Sequence, residues 1–293
     1  MLLIAGECLA ISHRDPARGA VSHASGAPAI AAWVAARLGT PTAFIGGVGD
    51  DEAGELIRST LGSAGVRAES LVTSVGLPTA TAYVEYFPDG TRGFEFHVAG
   101  TAATAIRPAD LGELPEHSRW VHVSGSAVLF GAPLSDAVID AVRRGRDAGA
   151  TVSIDPNLRA ELDDPGRRAA LRELCLLAHV LFPSEGELEQ LDLDADELVS
   201  RGVVVCQTMA EAGARIRHRE VDVRVPAVAT PDEVVDPDGA GDTFAGAAIA
   251  ARLRGADWVT AASIASAVVA RAIAVPGPMT ATLGPDALSI SVD

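Results

Sequence analysis

Lysine is absent from this 293-residue chain: all 23 basic residues are arginine. The absence excludes chemistry that requires a primary ammonium. A P-loop needs its Gly-Lys-Ser/Thr, and a protein kinase needs its strand lysine. Schiff-base aldolases and pyridoxal-phosphate enzymes need a lysine amine. A GC-rich genome, which favours Ala, Arg and Gly, accounts for the same absence, and the two statements are compatible. Positive charge is scarce altogether. Acidic residues number 39, the formal net charge is -16, and a nucleic-acid partner, which needs a basic face, is not expected. The three cysteines, Cys8, Cys175 and Cys206, lie far apart in apolar segments and are expected to be buried reduced thiols of a cytoplasmic protein. No apolar run approaches membrane-spanning length. The opening "MLLIAGECLAIS" is too short for a signal peptide, lacks its charged lead, and suits a buried first strand.

What is present is 48% apolar residue content without a charge run or low-complexity tract, enough for a large core. Short apolar runs alternate with helical stretches. Strands are expected at 2–6, 42–49, 120–125, 151–156, 179–184 and 202–208. Helices are expected at 28–38, 52–64, 133–148, 166–177, 185–191, 242–253 and 259–273. The alternation predicts an α/β fold, a Rossmann-like, mostly parallel sheet covered by helices on both faces. Ligands of such sheets collect at the carboxyl ends of the strands. Two segments break the pattern. Residues 10–24 are polar and irregular, and 79–98 alternate apolar and polar around "PDG", a hairpin turn. Together they are expected to form a small β-sheet lid. No repeat or linker divides the chain, so residues 1–293 are expected to be one α/β domain carrying that lid.

One stretch carries chemistry. In "VVDPDGAGDTFAGAA" (234–248), Gly239, Ala240 and Gly241 precede Asp242 and a small-residue helix. Asp is a good N-cap, but a cap alone does not need three tiny residues before it. Successive small residues opening a helix form a nest of N–H groups backed by the positive helix end, which binds phosphate or a developing anion. The economical task for an aspartate there is general base, with the nest stabilising charge on the attacked group. The same residues also suit an ordinary capped turn.

"DPDGAGDTFAGA" resembles the C-terminal signature of the ribokinase-like (PfkB) carbohydrate kinases. Other segments resemble the family's in the expected order: "SGAPAIAAWVAARLG" (25–39), "IGGVGDDEAGELI" (45–57), "DPNLR" (155–159), "PSEGEL" (183–188) and "TMAEAGA" (208–214). "DPNLR" is similar to the keto-deoxygluconate kinase and fructokinase branches. The resemblance implies ATP-dependent phosphorylation of a hydroxyl of a sugar, sugar acid or nucleoside-like molecule. It implies Asp242 as base, with Gly239, Ala240 and Gly241 giving the anion hole. Glu187 would help hold Mg²⁺, and Ser184, Thr208, Ala210 and Gly213 would line the ATP site. Gly26, Ile30, Asp155, Asn157 and Arg159 fall on the acceptor side. A monovalent cation is a further candidate ligand, and a homodimer through the lid a candidate assembly.

The departures from the pattern concern the acceptor side. Ile30 stands where the family has an asparagine, and Ile11 where it has an aspartate that grips sugar hydroxyls. Ser25-Gly26 replaces Gly-Gly, Ser184 replaces an asparagine, and Ala210 a glycine. Ile30 shares a helix face with Val34 and Leu38, so it suits plain core as well as a pocket. Arg159 could read an anion in bidentate fashion or simply open a helix. Asp155 and Asn157 could touch ligand or cap a turn. Tyr83, Phe94 and Phe96 could close over the acceptor or pack an edge strand. A family member without turnover, acting as a small-molecule or nucleotide-binding regulator, is the alternative to a kinase. A dinucleotide oxidoreductase is opposed by the lack of G-x-G-x-x-G after the first strand, and no histidine pair has metal-ligand spacing.

Overall fold

A computed structural model describes residues 1–15, 19–67, 71–86, 92–112, 118–162, 164–230 and 234–289. Its strands are β1 (Leu2–Ala5), β2 (Leu9–Asp15), β3 (Gly19–Ser25), β4 (Thr42–Gly49), β5 (Leu71–Ser74), β6 (Thr81–Tyr86) and β7 (Arg92–His97). There follow β8 (Trp120–Ser124), β9 (Thr151–Asp155), β10 (Val180–Leu181), β11 (Val204–Thr208), β12 (Ala214–His218) and β13 (Val221–Val225). The α-helices are α1 (Ala27–Arg37), α2 (Glu52–Ser63), α3 (Ser126–Leu129), α4 (Leu134–Asp147), α5 (Pro165–Cys175), α6 (Glu187–Gln190), α7 (Ala195–Ser200), α8 (Ala240–Leu253) and α9 (Trp258–Ala272).

Nine strands form one sheet in the order β13-β12-β11-β10-β9-β8-β1-β4-β5. From β11 to β5 every pairing is parallel, while β12 and β13 close one edge as an antiparallel hairpin. The order reverses between β1 and β8: the chain leaves β1 toward β4 and β5, and later leaves β8 toward β9, β10 and β11. Open α/β sheets leave a crevice at such a point, outside the strand carboxyl ends.

The sheet is covered on both faces, as its continuous apolar strands require. Along β1, side chains alternate between two cores. Leu2 and Ile4 pack with α1, α2, α8 and α9, whereas Leu3 and Ala5 pack with residues of α3, α4 and α5. Helices α1 and α8 are apolar nearly all round, and both are buried over most of their length. They cross closely because Gly246 faces Ala31: a Cβ on Gly246 would lie 2.6 Å from the Ala31 carbonyl oxygen. The contact fixes the start of α8 relative to the start of α1. All three cysteines are buried and free. Among the described residues no helix is long and apolar enough to cross a membrane.

The second sheet, β3-β2-β6-β7, is built from the two segments that broke the alternation. Residues 10–15 and 19–24 are strand, where irregular chain was expected. Strands β2 and β3 pair antiparallel from Leu9↔Ser25 to Asp15↔Gly19, and on the face opposite Leu9 and Ile11 the Ser12 and Ser22 hydroxyls meet at 2.8 Å. Polar composition hid a strand because only one of its faces is covered. Strands β6 and β7 pair antiparallel, as the alternation predicts, while the "PDG" turn itself lies outside the described residues. The run 179–184 yields only Val180–Leu181, since Pro183 has no N–H to continue the ladder. The hairpin β12–β13, strand β5 and helices α3 and α7 had no counterpart in the expected elements.

Gly246→Leu should force α1 and α8 apart and destabilise the protein by roughly 1–3 kcal/mol, the usual cost of overpacking. Urea unfolding measures it; a midpoint equal to wild type would refute the close helix contact.

Candidate active site

A cavity of about 390 Å³ lies at the reversal point, between the two sheets and the starts of α1 and α8. Its floor is made by chain leaving the carboxyl ends of β1, β8, β9 and β10. The four-stranded sheet faces it with Leu9, Ile11, Ala82, Phe94 and Phe96. These side chains share one face because strand side chains alternate, and Tyr83 accordingly points away and meets His97 edge-on at 5.5 Å.

Asp242 lines the cavity from the start of α8. Helix α8 begins at Ala240, two residues earlier than expected, with Gly239 as its N-cap at φ 75. Asp242 is therefore not the cap: it lies in the first turn, and no side chain caps that turn. Gly239 is required both for its left-handed φ and because a Cβ there would lie 2.7 Å from Ile30 Cδ1. Gly239, Ala240, Gly241 and Asp242 all line the cavity, so the uncapped end of α8 opens onto it. Asp242 is 6% exposed, and burial raises its carboxyl to about 6 despite the lowering effect of Arg159.

Asn157, the chain's single asparagine, donates Nδ2–H to Asp242 Oδ1 at 3.1 Å. Its φ is 43, a left-handed conformation that Asn tolerates better than most residues. Its own N–H donates to Asp155 Oδ1 at 2.9 Å. Asp155 thus closes the turn that aims Asn157, and both line the cavity. Burial, with Glu187 and Asp242 nearby, pushes the Asp155 carboxyl well above the usual carboxylate range.

Glu187, at the start of α6, is held by two backbone donors. Leu158 N–H reaches Oε1 and Ser184 N–H reaches Oε2, each at 2.7 Å. Burial raises its carboxyl while these bonds oppose the rise. Arg159 lines the cavity, with its guanidinium over the Phe94 ring at 5.7 Å from the centroid. It stabilises the ionised forms of Glu7, Asp155, Glu187 and Asp242 together. Among the described residues no cluster of three or more His, Cys, Asp or Glu side chains has the geometry of a closed metal site.

The remaining expected site residues divide. Gly26 and Ile30 line the cavity. Gly26 has φ 109, and a Cβ there would lie 2.9 Å from Glu7 O. Ile30 is both core and wall: it is 4% exposed, packs in the α1–α8 core, and touches the Gly239 turn. Ser184 lines the cavity edge. Thr208 is joined to it by a hydroxyl–hydroxyl bond of 3.4 Å, whereas Ala210 and Gly213 lie beyond, in the turn between β11 and β12. Ala210 holds φ 47 at the position where a glycine was expected.

Glu7 escaped the sequence reading. It follows β1, lines the cavity, and is 1% exposed. Its Oε1 accepts from Ser126 Oγ at 2.5 Å, and Ser126 in turn meets Ser124 at 2.7 Å. A lone acid inside the apolar run "LLIAGECLAI" was the available signal.

Comparison with known proteins agrees with this geometry. The profile of the pfkB family carbohydrate kinases matches residues 13–283. The chain is 32% identical over 255 residues to a fructokinase of Vibrio alginolyticus, covering 83% of this chain and 81% of the relative. It is 31% identical over 285 residues to an aminoimidazole riboside kinase of Salmonella typhimurium, covering 90% and 86%. An E. coli protein assigned as ribokinase II, solved with ATP and Mg²⁺, superposes with a TM-score of 0.89 at 30% identity, covering 98% of this chain and 97% of that one.

Removing the Asn157 amide takes away a bond that favours the ionised form of Asp242. In Asn157→Leu the Asp242 carboxyl should titrate above its value of about 6, as read by carboxyl NMR. An unchanged midpoint would mean that Asn157 does not tune this group.

Proposed function

This chain belongs to the pfkB family of carbohydrate kinases, and from that premise we propose that Asp242 is the general base of an ATP-dependent phosphoryl transfer to a hydroxyl in the cavity. The observation that carries the proposal is the placement of a buried carboxylate, raised to about 6, in the uncapped first turn of α8. A base with a pKa near working pH is ionised at neutrality yet basic enough to take a hydroxyl proton. Asn157 holds the carboxylate by one oxygen and leaves the other for the acceptor. The open backbone N–H groups in the first turn of α8, with the helix end behind them, stabilise negative charge on the transferred group. Such a device needs no lysine, and the chain has none.

Mg²⁺ and ATP fit the residues present. Asp155 and Glu187 are crowded carboxylates, and the proximity of Glu187 raises Asp155. A divalent cation would relieve that repulsion. Glu187 would hold Mg²⁺ with Asp155 beside it, and the ion would neutralise phosphate charge when bound. Ser184 and Thr208 lead from the cavity toward the turn that contains Ala210 and Gly213, which supports that side as the nucleotide's. The four-stranded sheet, facing the cavity with apolar side chains, is the proposed lid over the acceptor.

Asp242→Asn should lose about 10²–10⁴-fold in turnover while retaining ATP binding, because the carboxylate acts on the acceptor proton. An ATP-consumption assay with fructose, ribose and keto-deoxygluconate, alongside calorimetric ATP binding, reads both effects. Wild-type turnover in the Asn variant would remove Asp242 from the base role. ATP binding without consumption in the wild-type protein across a wide acceptor screen would favour the regulatory alternative.

A further inference from the structure

The reversal point of the sheet holds a polar group that the phosphoryl-transfer scheme does not use. Glu7 leaves β1, Ser126 follows β8, and these are the two strands between which the order reverses. Their side chains meet there through the 2.5 Å bond to Glu7 Oε1. Glu7 Oε2 is buried and has no hydrogen-bond partner among the described residues. An unpaired buried carboxyl oxygen is costly, and one in the wall of a ligand cavity has an obvious relief in the ligand. Ile11, which replaces the expected hydroxyl-gripping aspartate, lines the same cavity and offers no hydrogen bond. Glu7 stands four residues before it, on the connection from β1 to β2, and brings a carboxyl to the cavity where Ile11 brings none.

On the kinase reading above, we infer that Glu7 is a specificity-determining residue of the acceptor site: its Oε2 donates a hydrogen bond to an oxygen of an uncharged acceptor whose apolar edge lies against Ile11, Phe94 and Phe130. Three observations select this class. Ser126 Oγ donates to Oε1, so a proton on the carboxyl belongs on Oε2. Burial raises Glu7 to about 8, so the group is a neutral acid at physiological pH. Arg159 is the one cation among the described residues that line the cavity, and it already faces the carboxyls of Glu7, Asp155, Glu187 and Asp242. An anionic acceptor would add a further negative charge to that single guanidinium. A neutral molecule meets no such repulsion, and its apolar edge suits the phenyl rings at 94, 96 and 130.

The test measures KM and kcat for fructose, ribose, inosine and keto-deoxygluconate, with calorimetric binding of the same probes, in wild type, Glu7→Gln and Glu7→Leu. A neutral probe should be preferred over keto-deoxygluconate. Glu7→Leu should raise its KM and Kd about 10-fold or more, the usual effect of a lost buried hydrogen bond, while the KM for ATP stays put. Glu7→Gln keeps a donor at that position and should stay within about threefold of wild type. Unchanged binding in the Leu variant, an equal loss in the Gln variant, or a preference for keto-deoxygluconate would each overturn the inference. Should the Leu variant fail to fold, pH decides the matter. Wild-type affinity for the neutral probe should fall as pH rises through about 8, and the Gln variant should show no such fall. Burial raises the Asp155 and Glu187 carboxyls of the same cavity as well, so it is the loss of the transition in the Gln variant that assigns it to Glu7. Affinity independent of pH in that range would contradict the donor role. Failure of the kinase reading is distinct: wild-type protein would then consume no ATP with any acceptor.

Discussion

A charged group that the fold keeps out of water, the carboxylate of Asp242, is the constraint on which the site depends. Burial raises its proton affinity, which suits it to the proposed role of base, and the same burial would make it a liability without partners. The partners come from separate elements. Asn157 arrives from the end of β9, Arg159 follows it, and the bare N-terminus of α8 supplies the helix dipole. These parts meet because α1 and α8 pack closely through Ala31 and Gly246, and because Gly239 turns against Ile30. The chemistry at residue 242 is thus tied to apolar packing more than one helical turn away.

The sequence revealed the parallel sheet well because its strands are buried on both faces and read as unbroken apolar runs. "TAFIGGVG" became β4 without a change of boundary. It revealed the second sheet poorly at 10–24, where one face is covered and the polar face dominates the composition. The edge hairpin β12–β13 was missed for a related reason: its alternation is diluted by arginines, two of which pair with Asp222 and Asp196. Of the site, Asp242 and its glycines were legible because small residues before an acid have few structural uses. The role of Asn157 was only half legible, since its spacing from Asp242 is 85 residues and only the fold brings them together. Glu7 was hidden by its position, one residue past the end of a strand read as pure core.

The proposed acceptor side is a study in replacement. The apolar face of the second sheet, with Ile11 and the phenyl rings, surrounds much of the cavity. Ile30 serves as wall and as core at once, and it braces Gly239. That double duty explains why an apolar residue is compatible with an intact turn at 239–242. The polar groups that remain in the cavity wall, and to which recognition would fall, are Glu7 with Ser126, Asp155, Asn157 and Arg159. Each is fixed by a hydrogen bond or a ring contact, so the site is organised before any ligand arrives.

The central claim, that Asp242 is a base tuned by burial, is tested most directly by the pH dependence of kcat/KM for the acceptor. The base must be ionised to act, and its protonation removes it from the reaction. The account predicts that kcat/KM falls tenfold per pH unit as pH drops below about 6, with the protein still folded. A profile that stays level from pH 7 down to about 4.5 would contradict it.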